Sequence, residues 1–138
     1  MPRRPRVSAE RDRKLYISQR LARSKAVIAE IDNLIKFEYL NTAINRIYYS
    51  CFYSVQALLA SLDLYPKSHA GILRMFSLHF TKKGKIPTSL SEYYTGLFHE
   101  RQLADYAEGT EYKKEEAEKL FSTAIDFITY VEKLLEEK

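Results

Sequence analysis

A small set of cationic and aromatic side chains is the part of this sequence best suited to chemistry. Guanidinium groups bind phosphate through paired hydrogen bonds, and aromatic rings stack on nucleobases. A groove that holds both kinds of side chain is therefore expected to bind a nucleotide or an RNA phosphate. The candidate phosphate-binding residues are Arg46, Tyr49, Tyr53, Lys67, His69 and Arg101.

Arg101 is the most unusual of these residues, because it falls on the apolar stripe of a predicted helix. A buried guanidinium is costly unless it is paired, and Asp105 lies four residues later on the same helix face. One interpretation is structural: the charge pair, followed by Tyr106, ties this helix to Tyr48 or Tyr49. The other is functional, with Arg101 as the main cation of a phosphate site.

His69 is the histidine best placed for acid–base chemistry, since it directly follows a predicted helix cap. An imidazole titrates near neutral pH and can act as an acid or a base. The commoner role for a histidine at this position is structural, as a partner of the backbone or of a neighbouring tyrosine. Both interpretations of His69 stay open at the level of sequence.

The use of cysteine and histidine predicts neither a metal site nor a disulfide. Cys51 is the only cysteine and falls on a helical core stripe, and no cluster of cysteine and histidine has the spacing of metal ligands. A lone cysteine is typical of a reducing compartment. We therefore expect no metal and no cofactor, and we predict a cytoplasmic location.

Five amphipathic segments are predicted to position these side chains. Apolar residues recur in each segment at steps of three and four, as on one face of a helix. Ser8 and Ser68 are the predicted N-caps of the first and third segments, and Pro66 and Gly109 end the second and fourth. The segments are about 9–36, 38–63, 68–81, 88–108 and 111–135.

The second segment is apolar or aromatic around most of its circumference. Such a helix belongs either at the middle of a bundle or between the core and a partner subunit. Because the segment is also rich in tyrosine, the sequence predicts a homodimer through this helix. The main apolar stripe consists of Leu40, Ile44, Ile47, Cys51, Val55, Leu58 and Leu62.

The predicted fold is all-α, an up-and-down four-helix bundle with a short additional helix. The chain has 138 residues, which fits one domain, and its short connections favour antiparallel neighbours. Residues 9–138 form the predicted helical domain. No run approaches the ~20 apolar residues of a membrane helix, so a soluble protein is expected.

Residues 1–8 form a predicted basic, flexible arm. The first 25 residues hold nine Lys and Arg against two acidic residues, a net charge of +7 within a total of +4. Such an arm either contacts phosphates or is a solvated, frayed terminus. No apolar run of the length of a secretory signal follows it, so export is not expected.

Four short motifs occur in the order typical of one protein family. Residues 45–59 place an arginine before a Tyr-Tyr pair and a stretch of small and aromatic residues. Residues 67–71 resemble a His-Ser/Ala-Gly turn, residues 85–87 a Leu-Pro-like break, and residues 101–106 an Arg-x-x-Ala-Asp-Tyr element. On these motifs the chain resembles the HEPN family from about residue 9 to residue 135, which implies an HEPN-like bundle.

The resemblance also implies possible functions. HEPN proteins often form two-fold dimers, and many are encoded beside, or fused to, minimal nucleotidyltransferases, in toxin–antitoxin or related systems. Several branches are ribonucleases in which four to six residues separate an arginine from the histidine that follows it. This sequence departs from that pattern, because the positions after Arg101 where the histidine should fall hold Tyr106, Ala107 and Glu108.

Three hypotheses of function follow from these observations. The favoured one is a non-catalytic, dimeric module that binds nucleotide or RNA phosphate and works with a minimal nucleotidyltransferase. The second is a metal-independent ribonuclease with an atypical site around Arg101; tyrosine and aspartate are poor bases near neutral pH. The third is a non-catalytic dimerisation scaffold. The candidate catalytic residues of the second hypothesis are Arg101, Asp105, Tyr106 and His69.

Overall fold

Five α-helices make up most of the computed structural model, which describes residues 6–106 and 111–137. No strand occurs among these described residues, so the predicted all-α fold is confirmed. The short third helix is the predicted additional element. The helices are α1 (Arg6–Lys36), α2 (Leu40–Ala60), α3 (His69–Phe76), α4 (Thr88–Tyr106) and α5 (Lys114–Glu136).

The first helix begins earlier than predicted. It starts at Arg6, so the N-cap predicted at Ser8 is wrong. The residues that follow Ser8, such as Ala9, Glu10 and Arg11, are strong helix formers, and their propensity carries the helix past a polar residue that can also cap. Residues 1–5 of the predicted arm and the break predicted at Gly109 lie outside the described residues.

The second helix occupies the middle of the bundle, where it packs against α1, α4 and α5. Most of its side chains are buried, whereas Tyr49, Tyr53 and Gln56 are only partly buried. The sequence allowed two placements for this helix, at the middle of the bundle or between the core and a partner subunit. In the structure it lies at the middle of the bundle. The subunit itself covers most of the surface that had suggested a partner.

Two helices end in left-handed residues that are not glycine. Glu38 has φ 61° after α1, and Asp63 has φ 60° after α2. At the first end, the Tyr39 N–H donates to the Leu34 carbonyl at 2.8 Å and the Glu38 N–H to that of Ile35 at 3.0 Å. This is the Schellman pattern, which satisfies carbonyls that the helix leaves free.

The third predicted segment is divided in two. Ser68 caps α3 as predicted, since its hydroxyl oxygen accepts from the Gly71 N–H at 2.9 Å. After α3 the backbone widens into a π-helical turn over Ser77–Thr81, where the sequence had predicted one continuous helix to residue 81. The buried rings of Phe76 and Phe80 stack across this change, 6.1 Å apart.

The last two helices pack against α2 and complete the core. Tyr94 and Leu97 of α4 are buried, and the Tyr93 hydroxyl donates to the carbonyl of Leu120 on α5. Helix α5 begins at Lys114, where the Glu116 carboxylate accepts from the Lys113 N–H at 3.0 Å. The hydrogen bond from Tyr93 ties the middle of α4 to α5.

Candidate functional site

Arg101 projects from the C-terminal part of α4 onto two tyrosine rings of α2. Its guanidinium carbon lies 5.1 Å from the ring centre of Tyr48 and 5.9 Å from that of Tyr49. The side chain of Arg101 is 13% exposed, so the charge is largely withdrawn from water. A cation over an aromatic face is stabilised by the ring quadrupole, which explains how α4 holds a charge on its apolar stripe.

Few hydrogen bonds satisfy the Arg101 guanidinium. One terminal nitrogen lies 3.7 Å from an Asp105 oxygen, longer than a hydrogen bond, and Nε is buried without a partner among the described residues. Asp105 is held instead by Asn45, whose side-chain nitrogen lies 3.1 and 3.2 Å from the two carboxylate oxygens. The predicted pair of Arg101 and Asp105 therefore exists, but as a loose contact.

His69, the first residue of α3, contacts the same tyrosine from another side. Its Nδ1 lies 2.8 Å from the Tyr48 hydroxyl, and its ring stacks on Phe52 with centres 4.4 Å apart. Burial, and then the charge of Arg101, lower the pKa of His69 below its ordinary value. The imidazole is therefore neutral at pH 7, as a partner for a tyrosine or as a base.

Tyr48 is the buried centre of this group. Its ring lies 6.0 Å from that of Tyr94 in a nearly parallel stack, and its side chain is fully covered. Burial raises the pKa of the Tyr48 hydroxyl to about 12. Tyr48 therefore stays protonated near neutral pH and links His69 to Arg101 through one ring.

The other predicted site residues are not all brought together. Arg46 turns toward α1, where its Nε donates to a Glu30 carboxylate oxygen at 3.2 Å. Tyr53 also turns toward α1, although its ring stays 6.0 Å from that of Tyr49. Lys67 is exposed and forms no ion pair with another described residue. The backbone of Tyr106 ends α4, and its side chain lies outside the described residues.

Asn45 and Phe52 are site residues that the sequence interpretation missed. Both lie one turn of α2 from Tyr48, on the same helix row, and this spacing is the signal that could have found them. An open cleft of about 350 Å³ adjoins Asn45 and is lined also by Asn41, Thr42, Ala104 and Asp105. The site is thus open to solvent on the side of the Asp105 carboxylate.

A search of the described residues for metal-ligating clusters and for membrane-spanning helices finds neither. Residues 6–106 and 111–137 contain no group of three acidic, histidine or cysteine side chains close enough to hold an ion. None of the helices in these ranges is both long and apolar enough to cross a membrane. The side chains that meet at Tyr48 are the Arg101 guanidinium, aromatic rings and the His69 imidazole.

Fold and site together define the class of this protein. It is an all-α helical bundle in which a largely buried arginine lies over two neighbouring tyrosines. The chain matches the model of the HEPN domain over residues 17–134. Because this match covers most of its length, the protein belongs to the HEPN family. The family resemblance drawn from the four motifs is confirmed.

Relatives of similar length support this assignment. The chain is 41% identical over 107 residues to a protein of Methanocaldococcus jannaschii named as a candidate toxin, covering 78% of this chain and 73% of that relative. It is 36% identical over 115 residues to a UPF0332 protein of Thermotoga maritima, covering 83% and 87%. A second M. jannaschii protein named as a candidate toxin is 37% identical over 95 residues, covering 69% and 70%.

Proposed function

We propose that this HEPN protein binds nucleotide or RNA phosphate at Arg101 as a non-catalytic module. The observation that carries the proposal is the state of the Arg101 side chain, which is 13% exposed and still has unused hydrogen-bond donors. A guanidinium has five N–H donors and no acceptor. The ion pair of 3.7 Å to Asp105 leaves most of them to an incoming anion.

Phosphate suits this pocket better than a neutral ligand. Arginine binds phosphate oxygens through two parallel hydrogen bonds, and these bonds are stronger where water is largely excluded. The rings of Tyr48 and Tyr49 fix the plane of the guanidinium. Because the Asp105 carboxylate is already bound by Asn45, it can release Arg101 without being left unpaired.

Calorimetric titration with ATP and with short RNA tests the proposal. Wild-type protein is compared with Arg101→Ala, and Arg74→Ala is the control because it removes an exposed arginine of α3. We expect binding by the wild type and the control and a loss of at least about 10-fold in Arg101→Ala, since a charged hydrogen bond pair is worth about 1.5–3 kcal/mol. Equal heats for all three proteins would remove the site and favour the dimerisation scaffold.

We also propose a homodimer through the exposed, N-terminal part of α2. Asn41 and Thr42 are exposed there, and the exposed ring of Tyr39 (63% exposed) lines an open cleft with them. This face borders the cleft beside Asp105, so a two-fold contact would bring two Arg101 sites near each other. Sedimentation equilibrium should give a dimer that Thr42→Arg dissociates, and a monomeric wild type would contradict the proposal.

A toxin-like role beside a minimal nucleotidyltransferase in the cytoplasm completes the proposed function. Two relatives carry the names of candidate toxins, and the family resemblance implies such a partner. Expression of this chain alone should slow cell growth, and co-expression with a nucleotidyltransferase encoded beside it should restore growth. Normal growth with this protein alone would count against the toxin role, without bearing on phosphate binding.

A metal-independent ribonuclease is the second candidate, and it is favoured by a single observation. His69 lies in contact with Tyr48, as Arg101 does, and its lowered pKa keeps the imidazole neutral. A neutral imidazole can accept the proton of a 2′-hydroxyl that attacks phosphorus, and the imidazolium can return it to the 5′-oxygen as the P–O5′ bond breaks. A guanidinium can stabilise the negative charge that develops on the phosphoryl oxygens. Purified protein would be incubated with transfer RNA and a chelator. Cleavage lost in both His69→Gln and Arg101→Ala would support this candidate, and no cleavage would end it.

A further inference from the structure

A row of arginine and tyrosine side chains lies on the surface between α1 and α2. The guanidinium carbon of Arg20 is 5.1 Å from the ring centre of Tyr16 and 5.7 Å from that of Tyr53. Arg23, one turn further along α1, lies 5.2 Å from the same Tyr53 ring. We call Tyr16, Arg20, Arg23 and Tyr53 the arginine–tyrosine strip.

The strip is continuous with the site at Arg101. The rings of Tyr53 and Tyr49 are 6.0 Å apart, and Tyr49 lies 5.9 Å from the guanidinium carbon of Arg101. At the other end, Tyr16 contacts Tyr65 edge to face, with ring centres 5.3 Å apart. Guanidinium groups and rings therefore follow one another along one surface, in steps of similar length.

The packing of α1 on α2 does not require these arginines. Below the strip, the Ser24 hydroxyl donates to the Ser50 carbonyl at 2.6 Å, and both serines are buried. Further along α1, Val27, Ile31 and Ile35 supply the buried apolar contacts. Arg23 is exposed and Arg20 half-buried, so the strip lies at the edge of the interface between the two helices.

Hydrogen-bond donors on the strip are incompletely used. Arg20 donates to the Gln56 side chain at 3.4 Å, which is a long bond, and its Nε is buried with no partner among the described residues. The N–H bonds of a guanidinium lie in its own plane. When the guanidinium stacks on a ring, they point sideways rather than into the ring, so they can still bind an anion. Glu30, whose charge also acts on Arg23, is paired with Arg46 at 3.2 Å.

We propose that the arginine–tyrosine strip binds a single-stranded nucleic acid that continues from the phosphate bound at Arg101. This inference rests on the proposed function for the phosphate at Arg101 itself. Guanidinium groups contact the backbone phosphates, and bases stack on the tyrosine rings, as is usual for single-strand binding without sequence preference. A duplex hides the faces of its bases, so it cannot use the rings.

Fluorescence anisotropy with labelled oligouridine tests the strip. The probes are a strand of about twelve nucleotides and one of about four, with deoxythymidine and duplex RNA of the longer length for comparison. The variant Arg20→Ala/Arg23→Ala is matched by Arg11→Ala/Arg74→Ala, which removes two exposed arginines outside the strip. Circular dichroism checks that every variant remains helical.

We expect the strip variant to bind the longer strand at least about 10-fold more weakly than the matched control. Its salt dependence should fall by about 1.4 in slope, because each phosphate contact on a single strand contributes about 0.7. Binding of the short strand should change little. Equal affinity of the strip variant and its control for the longer strand would overturn the proposal, as would tighter binding of the duplex than of the single strand.

A second pair of variants tests the rings apart from the charges. Tyr53→Phe keeps the aromatic surface and should bind as the wild type does, whereas Tyr53→Leu should bind the longer strand several-fold more weakly. Equal binding by the two would overturn base stacking on the strip. RNA and deoxythymidine strands bound equally well would support it, because either supplies phosphates and bases.

The outcomes separate this inference from the proposed function. If Arg101→Ala binds neither the longer nor the shorter strand, and the strip variant binds both as tightly as its control does, the strip proposal fails and the phosphate site stands. If the strip variant alone loses the longer strand, the phosphate site at Arg101 fails. If no strand binds the wild type, both proposals fail.

Discussion

The guanidinium of Arg101 lies over the ring of Tyr48, 5.1 Å from its centre, and the Tyr48 hydroxyl lies 2.8 Å from Nδ1 of His69. One buried tyrosine thus joins a cation from α4 to an imidazole from α3. The HEPN ribonuclease pattern expects its histidine after Arg101 on the same segment, where this chain has Tyr106. Here the histidine that meets the arginine comes from a different helix.

Replacing Arg101 by lysine separates charge from geometry. An ammonium keeps the positive charge but lacks the planar fork that binds phosphate through two bonds. We expect Arg101→Lys to bind ATP about 10-fold more weakly than the wild type, a loss of about 1.4 kcal/mol. Calorimetry measures the difference, with Arg74→Lys as the control; equal affinity would mean that only charge is recognised.

Removing the Tyr48 hydroxyl tests the link to His69. Tyr48→Phe keeps the stacked ring but leaves Nδ1 of His69 without its partner, so we expect a loss of about 1 kcal/mol in the free energy of unfolding. Tyr49→Phe is the matched control, because the half-buried Tyr49 contacts the same pocket mainly through its ring. Urea denaturation that shows the same small change in both variants would contradict the hydrogen bond.

His69 makes stability depend on pH. Because its folded-state pKa is lowered by burial and by Arg101, the unfolded chain takes up a proton on His69 before the folded chain does. Its contribution is therefore fully present above the ordinary pKa of about 6.5 and is lost as the pH falls toward the folded-state value.

Urea denaturation on either side of pH 6.5 measures this effect. The wild type should lose more stability on acidification than His69→Gln, which cannot titrate but can still accept a bond from Tyr48. The difference between the two proteins removes the contribution of the carboxylates, which titrate in both. A larger loss in His69→Gln would show that the sign of the pKa shift is wrong.

Glu38 offers a stabilising substitution at the end of α1. Its φ of 61° is a conformation that glycine adopts without steric cost and that other residues adopt at about 1–2 kcal/mol. We expect Glu38→Gly to raise the free energy of unfolding by up to about 1 kcal/mol, since the more flexible unfolded chain offsets part of the gain. Glu38→Ala is the control, and we expect it not to stabilise the protein. Thermal unfolding of both variants measures the difference, and a Glu38→Gly variant no more stable than Glu38→Ala would contradict the prediction.

Helical periodicity was sufficient to predict the five helices, because each buries one apolar stripe that is visible at steps of three and four. The ends of the helices were harder to predict. Glu38 ends α1 in a conformation usually marked by glycine, and the wider turn after Phe76 leaves the apolar pattern of the third segment unchanged. Neither feature has a local signal strong enough to read from residue types.

The site was predicted in part for a similar reason. Arg101 and Asp105 share a helix face, so their pairing follows from spacing alone. Arg46 and Tyr53 lie about 140–160° around α2 from Tyr48, and they face α1 instead. Which helix covers each row depends on tertiary packing, and the sequence of α2 by itself does not contain that information.

Nitrogen-edited NMR of the arginine Nε–H groups tests the phosphate site most directly, with the Arg101 signal assigned by its loss in Arg101→Lys. On titration with ATP, and separately with short RNA, the Nε–H of Arg101, which is buried without a partner among the described residues, should shift saturably and far more than that of Arg74. An Arg101 signal that stays in place while Arg74 and other exposed arginines move would show that phosphate contacts the surface non-specifically and that Arg101 is only a structural cation.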